Sequence, residues 1–201
     1  MQTKVILSEV EKITIGNTSF FSVKREIISK IINLLGEVGN NKQLIDSWKN
    51  ILVNEEEKLF EPKISKGENY LGLPYLILDF PKKFEEDNQF AVRSFFWWGK
   101  YFANFLLLSG NDLKKLLPTI LSNYSMLINK EIFVSINDDR WIHSIDTDYY
   151  SLTKNLSVDE FENTIKKNGY LKLATILPIA DFDIAGDYFV EQHFFFQKLL
   201  S

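Results

Sequence analysis

The sequence predicts an α+β fold: a mostly antiparallel sheet built on a central aromatic hairpin, with an N-terminal helix pair and further helices packed on one face. Three observations carry that expectation. Residues 67–110 hold the densest run of aromatic and β-favouring side chains in the chain. Apolar stripes at helical spacing lie on both sides of that run. Helical and hairpin segments are grouped along the chain, not alternated as βαβ units, and grouping favours antiparallel pairing. At 201 residues the chain suits one domain, residues 1–60 being largely helical and 61–201 supplying the sheet and its covering helices.

Val5 to Ile15 reads VILSEVEKITI, and its partial alternation predicts a short strand. Phe20 to Val38 is expected to be helical. Val23, Ile27, Ile28, Ile31, Ile32, Leu34 and Leu35 form a broad stripe, Ser19 or Ser22 can cap the start, and Gly36 and Gly39 close the end. Beyond Asn40-Asn41, the positions Leu44, Ile45, Trp48, Ile51 and Leu52 mark a second helix, extended through Glu55-Glu56-Glu57. Those glutamates are consecutive, so a helix would point them in different directions, and they read as solvated rather than as a metal cluster.

Leu71 to Phe80, bounded by Gly72-Leu73-Pro74 and Pro81, suits a buried strand. Leu76, Leu78 and Phe80 fall on one side, and Tyr75, Ile77 and Asp79 on the other. Lys82 to Asn88 is a charged loop and Phe90 to Trp98 the next strand. Gly99-Lys100 then reads as a two-residue turn with Gly first, which pairs Trp98 with Tyr101. In that register Phe90, Val92, Ser94, Phe96 and Trp98 share the helix-covered face with Tyr101, Ala103, Phe105 and Leu107. Arg93, Phe95 and Trp97 share the second face with Phe102, Asn104, Leu106 and Leu108. Asp79 falls near Arg93 there, as a bidentate pair with Asn104 in reach. Such a pair ordinarily fixes strand register; the sharper reading is a polar spot in an aromatic-lined pocket.

Asn111-Asp112 is expected to cap a helix from Leu113 to Ile128, with Pro118 marking its regular start or a bend. Glu131–Ile136 and Arg140–Ile145 are expected to form a second hairpin around Asp138-Asp139, with Trp141 and His143 on its apolar face. Ser157 and Glu160 make a capping box for a helix ending at Gly169. Tyr170 to Ile179 is a strand stopped near Pro178, Asp181 to Gly186 a loop, and Tyr188 to Leu200 a last amphipathic helix.

Composition removes several function classes. The net charge is −4 and the three arginines, Arg25, Arg93 and Arg140, are scattered, so the basic stripe of a nucleic-acid surface is missing. Ser94 to Asn111 carries a single charge, Lys100, but the apolar runs beside it are shorter than the ~20 residues of a membrane span. Without cysteine there is no disulfide, thiolate catalysis or thiolate metal site, which fits a reducing cytoplasm. The opening MQTKVILSEVEK shows no export signal, so a cytoplasmic location is expected.

No GxSxG, Walker A or GxGxxG pattern occurs, and no cofactor is implied. A metal site would need His143 and His193 to converge with Asp139, Asp146, Asp187 or Glu191; His143, on an otherwise apolar strand face, reads better as a hydrogen-bonded core residue, His193 lies beside Phe189 and Phe196 on a helix, and no metal is expected. Asp138-Asp139-Arg140 reads as a turn. The SxxK match at Ser151–Lys154 lacks its companion motifs and reads as chance.

Gly72-Leu73-Pro74-Tyr75, Leu78-Asp79-Phe80-Pro81 and Phe95-Phe96-Trp97-Trp98-Gly99 together resemble a signature of a family of uncharacterised bacterial proteins, over about residues 70–110. The resemblance implies no activity and carries over no functional residue. The expected function is that of a soluble, non-enzymatic binding or interaction protein using an aromatic sheet surface. Its contact residues are Asp79, Arg93, Trp97, Trp98, Tyr101, Phe102 and Asn104. A homodimer through Trp98, another protein partner or a small molecule would be its partner. The alternative is an enzyme acting on a small molecule, with Asp79 and Arg93, joined by His143 or Asp139, in an aromatic-lined pocket.

Overall fold

A computed structural model describes residues 5–52 and 55–201. Among these residues, seven strands form one antiparallel sheet: β1 (Lys63–Tyr70), β2 (Leu73–Phe84), β3 (Gln89–Trp97), β4 (Tyr101–Ser109), β5 (Phe133–Ser135), β6 (Tyr150–Leu152) and β7 (Tyr170–Pro178), in the order β1-β2-β3-β4-β7-β5-β6. The α-helices are α1 (Glu9–Gly16), α2 (Thr18–Gly39), α3 (Lys42–Ile51), α4 (Gly110–Ser122), α5 (Tyr124–Ile128), α6 (Val158–Asn168) and α7 (Ala185–Leu199). The fold is α+β.

Helices cover one face of the sheet. Leu76, Leu78 and Phe80 of β2, Phe90, Val92 and Phe96 of β3, Phe102, Leu106 and Leu108 of β4, and Leu171 and Leu173 of β7 meet Ile31, Leu35, Trp48, Phe189 and Phe196 in one large core. The second face carries a smaller cluster of Ile77, Phe95, Trp97, Ala103, Phe105, Tyr150 and Ala174. Among the described residues, no helical side chain packs on that cluster. Ile142, Ile145 and Tyr149, from the connection 136–149, pack on it instead.

The central hairpin forms, but one residue out of the expected register. Trp97, not Trp98, pairs with Tyr101, so the turn holds three residues, closed by the Lys100 N–H on the Trp97 carbonyl at 3.0 Å. Gly99, the middle of those three residues and position i+2 of the β-turn Trp97–Lys100, has the positive φ of 68°. Strand side chains alternate, so a slip of one turns every β4 residue over. Phe102, Asn104, Leu106 and Leu108 lie on the helix-covered face, and Tyr101, Ala103, Phe105 and Leu107 on the second.

Other elements differ for identifiable reasons. Residues 9–16 are helical, not a strand: Ser8 Oγ accepts from Glu11 N while the Glu11 carboxylate accepts from Ser8 N, a complete capping box. The pattern of KISKGENY predicts no strand, yet β1 forms there; it is an edge strand, polar along most of its length. β2 runs past Pro81 to Phe84, because Phe80 and Pro81 form a bulge between the Asp79–Arg93 and Lys82–Ala91 pairs, a place where a strand tolerates proline. Glu57–Phe60 is a short 3₁₀ turn; the expected extension of α3 crosses Val53-Asn54, outside the described residues. α4 continues through Pro118 and ends at Asn123, whose side chain donates to the Leu199 carbonyl. Ile179–Ile184 is 3₁₀ rather than open loop.

The expected hairpin of 131–145 is only half present. β5 pairs with β6, and residues 136–149 form a long connection whose tip does turn at Asp138-Asp139. Asn137 Oδ1 accepts from Asp139 N, Asp139 Oδ1 from Trp141 N, and Asp146 Oδ1 from Asp148 N. These side chains satisfy the backbone locally and leave no ladder for a strand at 140–145.

Candidate functional site

Register across the second face places charged residues in neighbouring rows. Asp79, Arg93, Phe105 and Ala174 lie opposite one another across β2, β3, β4 and β7, and Ala91, Leu107 and Lys172 form the next row. The connection 136–149 closes over these rows.

Hydroxyl groups hold that connection down. Tyr70 Oη accepts from His143 N at 2.7 Å and from Ser144 N at 3.0 Å. Tyr101 Oη accepts from Ile145 N and donates to the His143 carbonyl, both at 2.9 Å. Tyr150 donates to Ile142 O at 2.8 Å, and Tyr170 to Asn137 O. Burial pushes the Tyr101 hydroxyl up to about 12 and raises Tyr70, Tyr150 and Tyr170 too, so Tyr101, Tyr150 and Tyr170 keep the protons they donate, and Tyr70 stays a neutral acceptor. Lys172, 2% exposed, donates from Nζ to the carbonyls of Arg140, at 2.9 Å, and Ile142.

Arg93 is the centre of the cluster. Its Nε and Nη2 reach the two Asp79 oxygens at 2.7 and 3.0 Å, and Nη1 lies 2.7 Å from His143 Nε2. A guanidinium only donates, so His143 Nε2 must accept and the ring proton sits on Nδ1. Burial first, then the charges of Lys172 and Arg93, hold the His143 pKa well below the usual imidazole value. Burial, then Arg93, likewise pulls Lys172 well below the usual lysine value.

Three of the five Arg93 N–H groups have partners among the described residues, as do two of the three on Lys172 and one of the five on Arg140, which donates to Gln89 Oε1 at 2.9 Å. All three cations line one cavity with Phe84, Phe105, Trp141 and His143. It encloses about 10 Å³, the space of about one water. The exposed rings of Phe84 and Trp141 stand 6.1 Å apart at its mouth, each about 6 Å from the Arg93 guanidinium. A larger cleft of about 370 Å³ on the far side of Phe84 mixes Lys58, Lys82 and Lys83 with Glu55, Glu56 and Glu85, and so favours neither sign of charge.

Of the residues expected at the site, Asp79, Arg93, Trp97 and Tyr101 share the second face, and the Asp79–Arg93 pair is bidentate. Trp97 is buried and donates to the Tyr70 carbonyl, and Trp98 turns toward the helix side against Phe96. Phe102 and Asn104 are not in the site. The slipped register sends both into the helix-covered core, where Asn104 Nδ2 donates to Phe189 O at 3.3 Å. His143 joins the cluster, while Asp139 is exposed and serves its turn. His193 lies on the opposite face, with Trp48 Nε1 donating to its Nδ1 at 3.1 Å.

Sequence reading misses Lys172, Arg140, Trp141, Phe84 and the tyrosine hydroxyls. One signal is present: Lys172 is the lone charge in Tyr170–Pro178. Among the described residues there is no group of three or more potential metal-ligating side chains, and no helix is long and apolar enough to cross a membrane. No family model matches this chain, and comparison with curated proteins and with solved structures gives no match.

Proposed function

We propose that this protein is a binding protein for a small anion carrying a flat apolar group, received between Phe84 and Trp141. The observation that carries the reading is the set of N–H donors gathered at one cavity. Arg93, Arg140 and Lys172 line it, each with N–H groups that have no partner among the described residues, and no carboxylate among the described residues lines it, Asp79 being bound by Arg93 from the side. A carboxylate or phosphate accepts from such donors in short, charge-assisted bonds. The two exposed rings suit the ligand's flat part. Because the cavity has room for about one water, a ligand enters as Trp141 and its neighbours lift. The enzyme reading has less support, since His143 and Lys172 are each engaged in holding the connection.

Phenyl phosphate, inorganic phosphate and phenol test this by thermal shift and by tryptophan fluorescence. Phenyl phosphate should raise Tm and perturb the emission, inorganic phosphate should act more weakly, and phenol should do neither. Arg140→Gln and Trp141→Ala should each lower the phenyl phosphate response about tenfold or more, the loss of one good charged or aromatic contact. If none of the three changes either readout at millimolar concentration, the proposal fails.

A further inference from the structure

We infer that two copies of this chain associate through α2, the N-terminal half of each helix lying in a groove of the other. α2 has 22 residues, about 33 Å, and only its later half is buried, at Ile31, Leu35, Val38 and Gly39. Every residue from Val5 to Val23 is exposed, and Val10, Ile13, Ile15, Phe20, Phe21 and Val23 are each 48–74% accessible. Together these side chains present roughly 500–700 Å² of apolar surface, of the order of what one partner buries in a standard interface. α1 has eight residues and buries none of them, and an isolated helix of that length is marginal in water.

The same helix supplies the receptor. Beside its middle lies an apolar groove of about 460 Å³ lined by Ile27, Ile31, Trp98, Phe102, Ile179 and Phe182. Phe20, Val23, Ile27 and Ile31 fall on one side of α2, so overhang and groove form one continuous stripe, with Phe20 and Ile31 about 16 Å apart. Two such helices laid antiparallel about a two-fold axis put each overhang on the other's groove, a self-complementary contact made twice. A second copy is therefore the occupant that this surface fits. Over residues 5–26, Glu9, Glu11 and Glu26 balance Lys12, Lys24 and Arg25, so the overhang carries no net positive charge to draw it to an anionic membrane.

Sedimentation equilibrium of the full chain at about 100 µM, far above a micromolar Kd, tests it. Wild type should be dimeric. The double variant F20E/V23E, altered only at exposed positions, and Trp98→Ala should each be largely monomeric with native circular dichroism. Mixing the two variants should restore heterodimer, because one overhang and one groove remain intact. A monomeric wild type overturns the inference. So does a dimer that survives F20E/V23E, or a monomer that binds neutral or anionic vesicles through the overhang.

Discussion

The two faces of the sheet are held by different forces. On the helix-covered face, leucine and phenylalanine from four strands meet six helices, α2 to α7, and cohesion comes from apolar area. On the second face a 14-residue connection is held by tyrosine hydroxyls, a buried lysine and an arginine–histidine contact. The histidines show the difference in miniature. His193 accepts from Trp48 on Nδ1 and holds its proton on Nε2, which has no partner among the described residues. His143 is the opposite tautomer, with Nε2 accepting from Arg93. Apolar packing is non-directional and tolerates a shift; a hydrogen-bonded closure is geometric, and it opens as a unit when its bonds are broken.

The largest expected effects test whether each face matters as described. Phe189→Ala empties a fully buried position against Phe102 and should cost about 3–5 kcal/mol in urea unfolding. Arg93→Met leaves the buried Asp79 carboxylate without its partner and should cost a similar ~3–5 kcal/mol. The double variant with Asp79→Leu should recover much of that loss. If Arg93→Met costs under about 1 kcal/mol, the ionic cluster is peripheral and the contrast between the faces collapses.

A pH series sharpens the comparison. Both histidines are neutral in the fold: His193 is held down to about 3 by burial, and His143 well below its usual value by burial and by Lys172 and Arg93. Unfolded histidine takes up its proton near pH 6.5, so stability is fully present above that value and falls as the pH drops below it, down to about 3 for His193. Each histidine should contribute a slope of about 1.4 kcal/mol per pH unit below pH 6. His143→Gln should remove about half of the combined slope, measured as urea midpoints. The smallest change is Tyr70→Phe, which strands the His143 and Ser144 amides. It should cost about 1–3 kcal/mol and speed exchange of those two amides more than of any in β3.

Much of this architecture can be read from the residues, and the failures have separate causes. Asp79 and Arg93 are the lone charges of the apolar runs Leu71–Phe80 and Phe90–Trp98, so a register that buries both favours pairing them, and their contact is legible in the residue pattern alone. β4 is not, because apolar residues fill both of its faces and nothing in the pattern distinguishes Trp97–Tyr101 from Trp98–Tyr101. Gly99 serves a two-residue turn as the first residue as readily as it serves this one, so the slip is silent in sequence and displaces Phe102 and Asn104 from the site. Gly110 does show its purpose once the fold is known: at φ 61° a side chain there would overlap the Asp87 carbonyl. The connection 136–149 is a product of Asn137, Asp139 and Asp146 satisfying nearby amides, a local chemistry that hydrophobic alternation hides.

Hydrogen exchange across residues 136–149, with and without phenyl phosphate, tests the central claim most directly. The account predicts that the amides of His143, Ser144 and Ile145 exchange through a local opening, faster than those of β3 and β4, and that phenyl phosphate slows them selectively. Exchange of these amides only at the rate of global unfolding, unchanged by phenyl phosphate, would contradict it.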